Sequence, residues 1–155
     1  MKQEEFFTFR EYMNKEKNEL SACEEDYIEM IYRLCGEHHD FTRVVDLAAA
    51  LNVKPPSVTK MIKKLGERGY LKYIKYGIIE LEDSGRRIGK DLLFRHNTIE
   101  AFLNLLNIKE DILEETEKIE HTINAETLLG IRRLLYFFAQ NPKSKSEYID
   151  FISKQ

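Results

Sequence analysis

Metal-binding side chains recur at helical spacing in residues 117–121, a segment of sequence Glu-Lys-Ile-Glu-His. Positions three and four residues apart share one face of a helix, so Glu117, Glu120 and His121 are expected to point the same way. Further candidate donors lie in two other predicted helices: Asp26, Glu29 and His96. These six side chains can form a metal site only if the fold brings the three helices together.

The chemistry of these donors favours a hard or borderline divalent ion. Carboxylate and imidazole groups without a thiolate suit Mn²⁺ or Fe²⁺ better than Cu⁺, and Zn²⁺ also accepts such sets. The four carboxylates, Asp26, Glu29, Glu117 and Glu120, together carry a charge of −4, which two divalent ions would balance. The alternatives are that Asp26 and Glu29 are ordinary surface acids, that His96 is a satisfied core histidine, and that residues 117–121 form a solvated acidic face.

A basic stretch lies between Thr42 and Tyr76, where eight basic residues face two acidic ones. Within it we predict a short helix capped by Thr42 and running through Leu51, a tight turn at residues 52–53, and a second helix from Pro55 to about Arg68, followed by Gly69 in a left-handed conformation. Two short helices joined in this way are typical of a helix-turn-helix. Residues 70–74 and 78–81 are β-branched and aromatic runs around a turn, which predicts a two-stranded wing.

The second of these helices is the candidate reading element for DNA. Lysines give salt-dependent affinity for phosphate, whereas side chains near the front of the helix, Pro56, Ser57 and Lys60, would contact base edges. A basic helix alone could be an ordinary solvated face, but the turn, the wing and the regional charge favour DNA. The candidate DNA-binding residues are Arg43, Lys54, Pro56, Ser57, Thr59, Lys60, Lys63, Lys64 and Lys75.

The remaining chain reads as helical, so the predicted fold class is mostly α: a winged helix-turn-helix followed by an all-helical metal-binding and dimerisation domain. Ser21 and Glu24 form a capping-box pattern that opens a helix to about His38. Later helices are predicted at 83–106, 109–123 and 125–138, and beyond Pro142 at most a weak turn. The last helix is apolar around much of its circumference, which predicts a homodimer.

The expected domain division of the chain is an extension at residues 1–20 with a short aromatic helix, domains at 21–83 and 84–140, and a tail at 141–155.

Composition limits the location and the partners. No stretch approaches the roughly 20 apolar residues of a membrane span, so we expect a cytoplasmic protein without a membrane partner. Cys23 and Cys35 lie in one predicted helix about 18 Å apart, too far for a disulfide, which fits a reducing compartment. Residues 107–126 carry two bases against seven acids, so the acidic end of the chain suits cations.

Four separated motifs resemble the diphtheria-toxin-repressor family of metal-dependent repressors, and within it the manganese transport regulator branch. They are residues 25–32 (EDYIEMIY), 55–61 (PPSVTKM), 95–96 (RH) and 117–121 (EKIEH). The resemblance implies that the metal ligands are Asp26, Glu29, His96, Glu117, Glu120 and His121. Iron-responsive relatives place a sulfur ligand where this chain has Asp26 and Glu117, so the resemblance favours manganese.

The function implied by this resemblance is a manganese-activated repressor of metal-uptake genes. It would bind two Mn²⁺ per subunit, with Fe²⁺ or Zn²⁺ as alternatives, and act as a homodimer on palindromic double-stranded operator DNA. Without metal the carboxylates would repel one another, and metal would tie the first helix to the dimer core. A winged-helix regulator of another metal or of a non-metal signal is the main alternative. A di-metal enzyme is disfavoured because paired Glu-x-x-His motifs are lacking, so we expect neither catalysis nor a small-molecule substrate.

Overall fold

The computed structural model describes residues 20–36 and 40–154. The aromatic helix expected near the N-terminus lies outside the described residues. In chain order the elements are α1 (Ala22–Cys35), β1 (Thr42–Arg43), α2 (Val44–Ala50), α3 (Pro55–Glu67), β2 (Leu71–Ile74), β3 (Ile78–Leu81), α4 (Asp83–Leu105), α5 (Ile112–Glu120), α6 (Ala125–Gln140) and α7 (Pro142–Ile152). The predicted fold class, a winged helix-turn-helix followed by a helical domain, is confirmed.

Helix α1 begins as its capping-box sequence predicts. The hydroxyl of Ser21 accepts a hydrogen bond from the Glu24 amide, and the Glu24 carboxylate accepts one from the Ser21 amide. The helix ends at Cys35, three residues earlier than expected, with Gly36 as its C-cap. Glycine loses more backbone entropy in a helix than any other residue, which accounts for the earlier end.

The helix-turn-helix consists of α2 and α3 and packs on α1. Val58, Ile62 and Leu65 of α3 are fully buried in one core with Ile28 and Ile31 of α1. Helix α3 starts at Pro55 and is followed by Gly69 with φ +77°, as the sequence predicted. Helix α3, the candidate DNA-reading helix and from here on called the recognition helix, therefore shares an apolar interface with α1.

The sheet corrects one expectation about Thr42. The sequence predicts that Thr42 caps a helix, but Thr42 and Arg43 pair with Ile79 and Ile78 as the edge strand β1, and α2 begins at Val44 with Arg43 as its N-cap. Ladder pairing satisfies backbone groups that a helix N-terminus leaves free, so the strand is preferred here. The wing strands β2 and β3 are antiparallel as predicted, and β1 extends them to a three-stranded sheet.

Helix α4 links the two halves of the molecule and lies very close to α1. A Cβ atom added at Gly89 would lie 2.5 Å from the Cβ of Tyr32, so only glycine permits this approach. Helix α4 packs against α5 and α6 on its other sides. It therefore holds His96 between α1 and α5.

The C-terminal part departs from the sequence expectation at its end. Residues 142–152 form the helix α7 instead of a weak turn, and the ring of Tyr148 lies 5.4 Å from that of Phe138 on α6. Helix α5 starts at Ile112, three residues later than predicted, after Asp111 in a left-handed conformation. Helix α6 carries no buried residue in spite of its apolar sequence. Across the described part of the chain, none of the helices has the length and apolarity needed to span a membrane.

Candidate metal centre and nucleic-acid interface

His96 is the centre of a first group of carboxylates. The side chain is 3% exposed on α4, and its Nδ1 atom lies 2.8 Å from Oε2 of Glu120. The same Nδ1 atom lies 3.6 Å from Oε1 of Glu117 and 3.9 Å from Oε1 of Glu29. One imidazole therefore meets carboxylates from both α1 and α5.

His121, the C-cap of α5, is the centre of a second group. Its Nε2 atom lies 2.8 Å from Oδ1 of Asp26 and 3.6 Å from Oε1 of Glu120. Glu120 belongs to both groups and is 3% exposed. The fold thus brings all six sequence-predicted ligands to one place, with Glu120 shared between two clusters.

The two clusters fit divalent cations. One ligand atom from each of Asp26, Glu117, Glu120 and His121 can be chosen so that all lie within 4.8 Å of one another, and the same holds for Glu29, His96 and Glu120. Among the described residues, Oε1 of Glu120 is buried and has no hydrogen-bond partner. A buried carboxylate oxygen without a partner is costly, and a bound cation would satisfy it. Oxygen and nitrogen donors without sulfur suit Mn²⁺, Fe²⁺ or Zn²⁺.

The charged side chains of the site shift one another's pKa values. A hydrogen bond to Glu120 raises the pKa of His96, and hydrogen bonds to Asp26 and Glu25 raise the pKa of His121 to about 10. Both rings therefore favour the protonated form, which offsets the surrounding negative charge. Burial raises the pKa of Glu117 and of Glu29, and the charge of Glu120 adds to both effects. Burial and the neighbouring carboxylate of Glu120 therefore disfavour the charged forms of Glu117 and Glu29.

Sequence reasoning missed three residues that orient the ligands. Glu25 lies 2.8 Å from Nδ1 of His121, which leaves Nε2 directed at Asp26. Arg95 donates a hydrogen bond of 3.1 Å to the backbone oxygen of Glu120. Arg33 donates from Nε to Glu29 at 2.9 Å. Only the last pair could have been found from sequence, because it has the i, i+4 spacing of a helical ion pair.

The candidate DNA-binding residues lie on α3 and around it. Lys60 and Lys63 are exposed on α3, and Pro56 and Ser57 are exposed in its first turn. Lys54 is the N-cap of α3, Arg43 is exposed in β1, and Lys75 is exposed at the wing turn.

Two of the predicted DNA-binding side chains already have partners within the chain. The hydroxyl of Thr59 donates to the backbone oxygen of Pro55 at 3.1 Å, and Nζ of Lys64 lies 3.3 Å from Glu24. The other predicted cations, Arg43, Lys54, Lys60, Lys63 and Lys75, are exposed, whereas Lys64 is exposed but paired with Glu24.

Comparison with known families decides the relationship of the chain. Residues 19–79 match the model of the iron dependent repressor N-terminal DNA binding domain, and residues 82–148 match the iron dependent repressor metal binding and dimerisation domain. The chain belongs to the iron dependent repressor family. This membership covers both the helix-turn-helix and the helices that carry the metal centre.

Relatives within this repressor family include named regulators and solved structures. The chain is 41% identical to the HTH-type transcriptional regulator MntR of Bacillus velezensis and 40% identical to that of Bacillus subtilis, in each case over 79% of this chain and 87% of the relative. Among solved structures, a manganese-dependent transcriptional repressor in complex with manganese is similar at a TM-score of 0.66 and 28% identity, and the manganese regulator SloR at 0.64 and 30%. The chain spans about half the length of these solved chains, 53% and 54%, with 74% of its own length covered.

Proposed function

We propose that this repressor-family protein is a manganese-responsive, metal-activated DNA-binding repressor of metal-uptake genes. The observation that carries the proposal is the convergence of α1, α4 and α5 on the buried carboxylate of Glu120, with α1 also packed on the recognition helix. The names of the similar regulators and structures, which specify manganese, support the choice of metal. Fe²⁺ and Zn²⁺ are the alternatives that the donor set allows.

The geometry supports two ions per subunit. Asp26, Glu117, Glu120 and His121 would hold one ion, while Glu29, His96 and Glu120 would hold the other. A divalent cation supplies positive charge that offsets the mutual repulsion of these carboxylates. Glu25 keeps Nε2 of His121 directed towards the first cluster, and Arg33 restrains Glu29 in the second.

The residues of α1 then connect the metal centre to DNA. Asp26 and Glu29 would fix α1 against α4 and α5, while Ile28 and Ile31 on the same helix are packed with the core side chains of α3. In a two-fold dimer this fixes the spacing of two recognition helices, which must enter successive major grooves about 34 Å apart on a palindromic operator. A shift from 1:99 to 99:1 between two arrangements requires about 5.5 kcal/mol of differential binding, which two ion sites can supply.

We propose a domain division at residues 1–20, 21–83, 84–140 and 141–155. The gap between the two matched family regions, 79 to 82, supports a boundary near the start of α4. The contact of Tyr148 with Phe138 favours a tail that is docked on the second domain. The proposed activity is binding without catalysis or a small-molecule substrate, and the proposed location is the cytoplasm.

The experiment that tests the proposed function is selection of duplexes from a randomised library with and without Mn²⁺, followed by affinity measurements on the selected duplex. We expect a palindromic consensus that is enriched only with Mn²⁺. The double variant Glu117→Ala, His121→Ala should remain a folded dimer and lose the Mn²⁺ stimulation. Equal affinity with and without Mn²⁺ would refute the proposal, and stimulation restricted to Fe²⁺ or Zn²⁺ would favour the alternative metal.

A further inference from the structure

Glu24 lies on α1 two residues before Asp26, but its carboxylate faces the recognition helix. Its Oε1 atom accepts a hydrogen bond of 2.7 Å from Nη1 of Arg68 and lies 3.3 Å from Nζ of Lys64. Its Oε2 atom accepts hydrogen bonds of 2.9 Å from the amide and the hydroxyl of Ser21. Lys64 lies in the last turn of α3, and Arg68 is the C-cap of that helix.

The carboxylate of this ion pair is shielded from solvent, while its partners Arg68 and Lys64 remain partly exposed. The Glu24 side chain is 3% exposed, and its two oxygens have four donors between them. A buried carboxylate held by charge-assisted hydrogen bonds has a defined direction, and removing one partner leaves a charge without compensation. The apolar contacts between α1 and α3 have no hydrogen-bonding direction, so the ion pair adds a directional contact at the end of α3.

The acidic side chains of helix α1 therefore contact two different parts of the protein. Asp26 and Glu29 lie in the metal centre, whereas Glu24 holds the C-terminal end of the recognition helix. We propose that Glu24 is a positioning residue that transmits the position of α1 to α3 through Arg68 and Lys64. The inference rests on the proposed function and adds the contact through which the metal centre controls the DNA-binding helix. In this inference the partner of Lys64 is the carboxylate of Glu24 and not a DNA phosphate.

The substitution Glu24→Gln tests the inference in the full-length protein. Glutamine can still form the capping box with Ser21, so the start of α1 is kept while the charge is removed. Binding of Mn²⁺ is measured by calorimetry, and affinity for the selected duplex is measured with and without Mn²⁺. We expect unchanged Mn²⁺ affinity, unchanged DNA affinity without metal, and a Mn²⁺ stimulation reduced about tenfold. Undiminished stimulation would overturn the inference.

Three further variants separate positioning from a general loosening of the helix. Ser21→Ala removes the cap from the same helix end but keeps the pair of Glu24 with Arg68, so it should retain the stimulation. Loss of stimulation in Ser21→Ala equal to that in Glu24→Gln would overturn the inference. Arg68→Gln should reproduce the loss, and the double variant Glu24→Gln, Arg68→Gln should be no worse than either single variant. If the losses of the two single variants add in the double variant, Glu24 does not act through Arg68. If the DNA affinity of the native protein does not change with Mn²⁺, the proposed function itself is overturned.

Discussion

Glu120 is the residue on which the proposed metal centre depends most. It is the one side chain common to both clusters, and its buried Oε1 atom lacks a hydrogen-bond partner among the residues that the structure describes. Asp26 belongs to one cluster only, and Glu29 to the other. Replacing Asp26, Glu29 or Glu120 by its amide should therefore reduce Mn²⁺ binding in three different ways.

We predict that Asp26→Asn removes one of two Mn²⁺ binding events, that Glu29→Gln removes the other, and that Glu120→Gln weakens both by more than about tenfold. Calorimetric titration with Mn²⁺ measures the number of ions and their affinities. Glu115→Gln is the matched control, because Glu115 lies on α5 and pairs with Lys118 outside both clusters. A Glu120→Gln variant that binds both ions normally would show that Glu120 is not a ligand shared by the two ion sites.

Glu24 should also give the protein a specific dependence on acid. Burial alone would raise its pKa, but hydrogen bonds from Ser21 and Arg68 lower it to about 2. A carboxylate with a lowered pKa contributes stability above its unfolded value of 4.5, and this contribution is lost as the pH falls through about 2. The unfolding free energy of the native protein should therefore exceed that of Glu24→Gln near neutral pH, and the difference should shrink in acid. A difference independent of pH would contradict this assignment.

The ligand residues could be proposed from sequence because their types and helical spacing are local signals. Glu25 could not, since its partner His121 is 96 positions away and an acid beside a predicted ligand carries no separate pattern. The same holds for Glu24, whose sequence signal is a capping box and whose ion pair with Arg68 spans 44 positions. Pairings of this kind depend on the fold and are visible only in three dimensions.

At the scale of elements, the close approach of α1 and α4 positions the metal centre. Gly89 lies against Tyr32, seven residues before His96 on the same helix. We predict that Gly89→Ala separates the two helices, destabilises the protein by about 1–3 kcal/mol and lowers its Mn²⁺ affinity. Urea unfolding and calorimetry measure the two effects.

Gly66→Ala is the control for this glycine substitution. A Cβ atom at Gly66 would have only ordinary contacts with Leu71, at 3.5 Å and beyond. We expect this variant to be as stable as the native protein or more stable by up to about 1 kcal/mol, with unchanged Mn²⁺ affinity. Normal Mn²⁺ binding by Gly89→Ala would show that the close approach is not required.

Helices and strands with a strong local sequence pattern could be predicted from the sequence. Elements that form only through contacts with other helices or strands could not. The apolar spacing of α3 and α4 and the β-branched and aromatic runs of the wing strands are strong local patterns. Strand β1 has two residues and exists because β3 offers an edge at Ile78 and Ile79. Helix α7 is largely polar, and it packs on α6 through side chains such as Tyr148 that give no decisive periodic signal.

At the scale of the whole molecule, α6 presents the surface that suits a second subunit. Large apolar side chains on this helix are exposed, among them Leu129, Leu134, Tyr136 and Phe137. An exposed apolar surface of this kind marks an interaction site, and the matched family domain is described as a dimerisation domain. DNA binding by two recognition helices would depend on this association.

We predict that the double variant Tyr136→Glu, Phe137→Glu is monomeric and binds the selected duplex at least about tenfold more weakly, because half of the DNA contacts are lost. Mn²⁺ binding should persist, since neither side chain belongs to the clusters. Sedimentation and calorimetry measure mass and metal affinity. Lys143→Glu, at an exposed position of α7, is the control and should remain a dimer. A dimeric double variant would place the interface elsewhere.

In the proposed function, metal fixes α1, and with it the recognition helix, against α4 and α5. Hydrogen–deuterium exchange of the native protein with and without Mn²⁺ tests this most directly, because exchange reports local opening of each helix. We predict that Mn²⁺ slows exchange throughout α1 as well as in α5, and that the double variant Glu117→Ala, His121→Ala loses this protection. Unchanged exchange in α1 upon saturation with Mn²⁺, with protection confined to α5, would contradict this prediction.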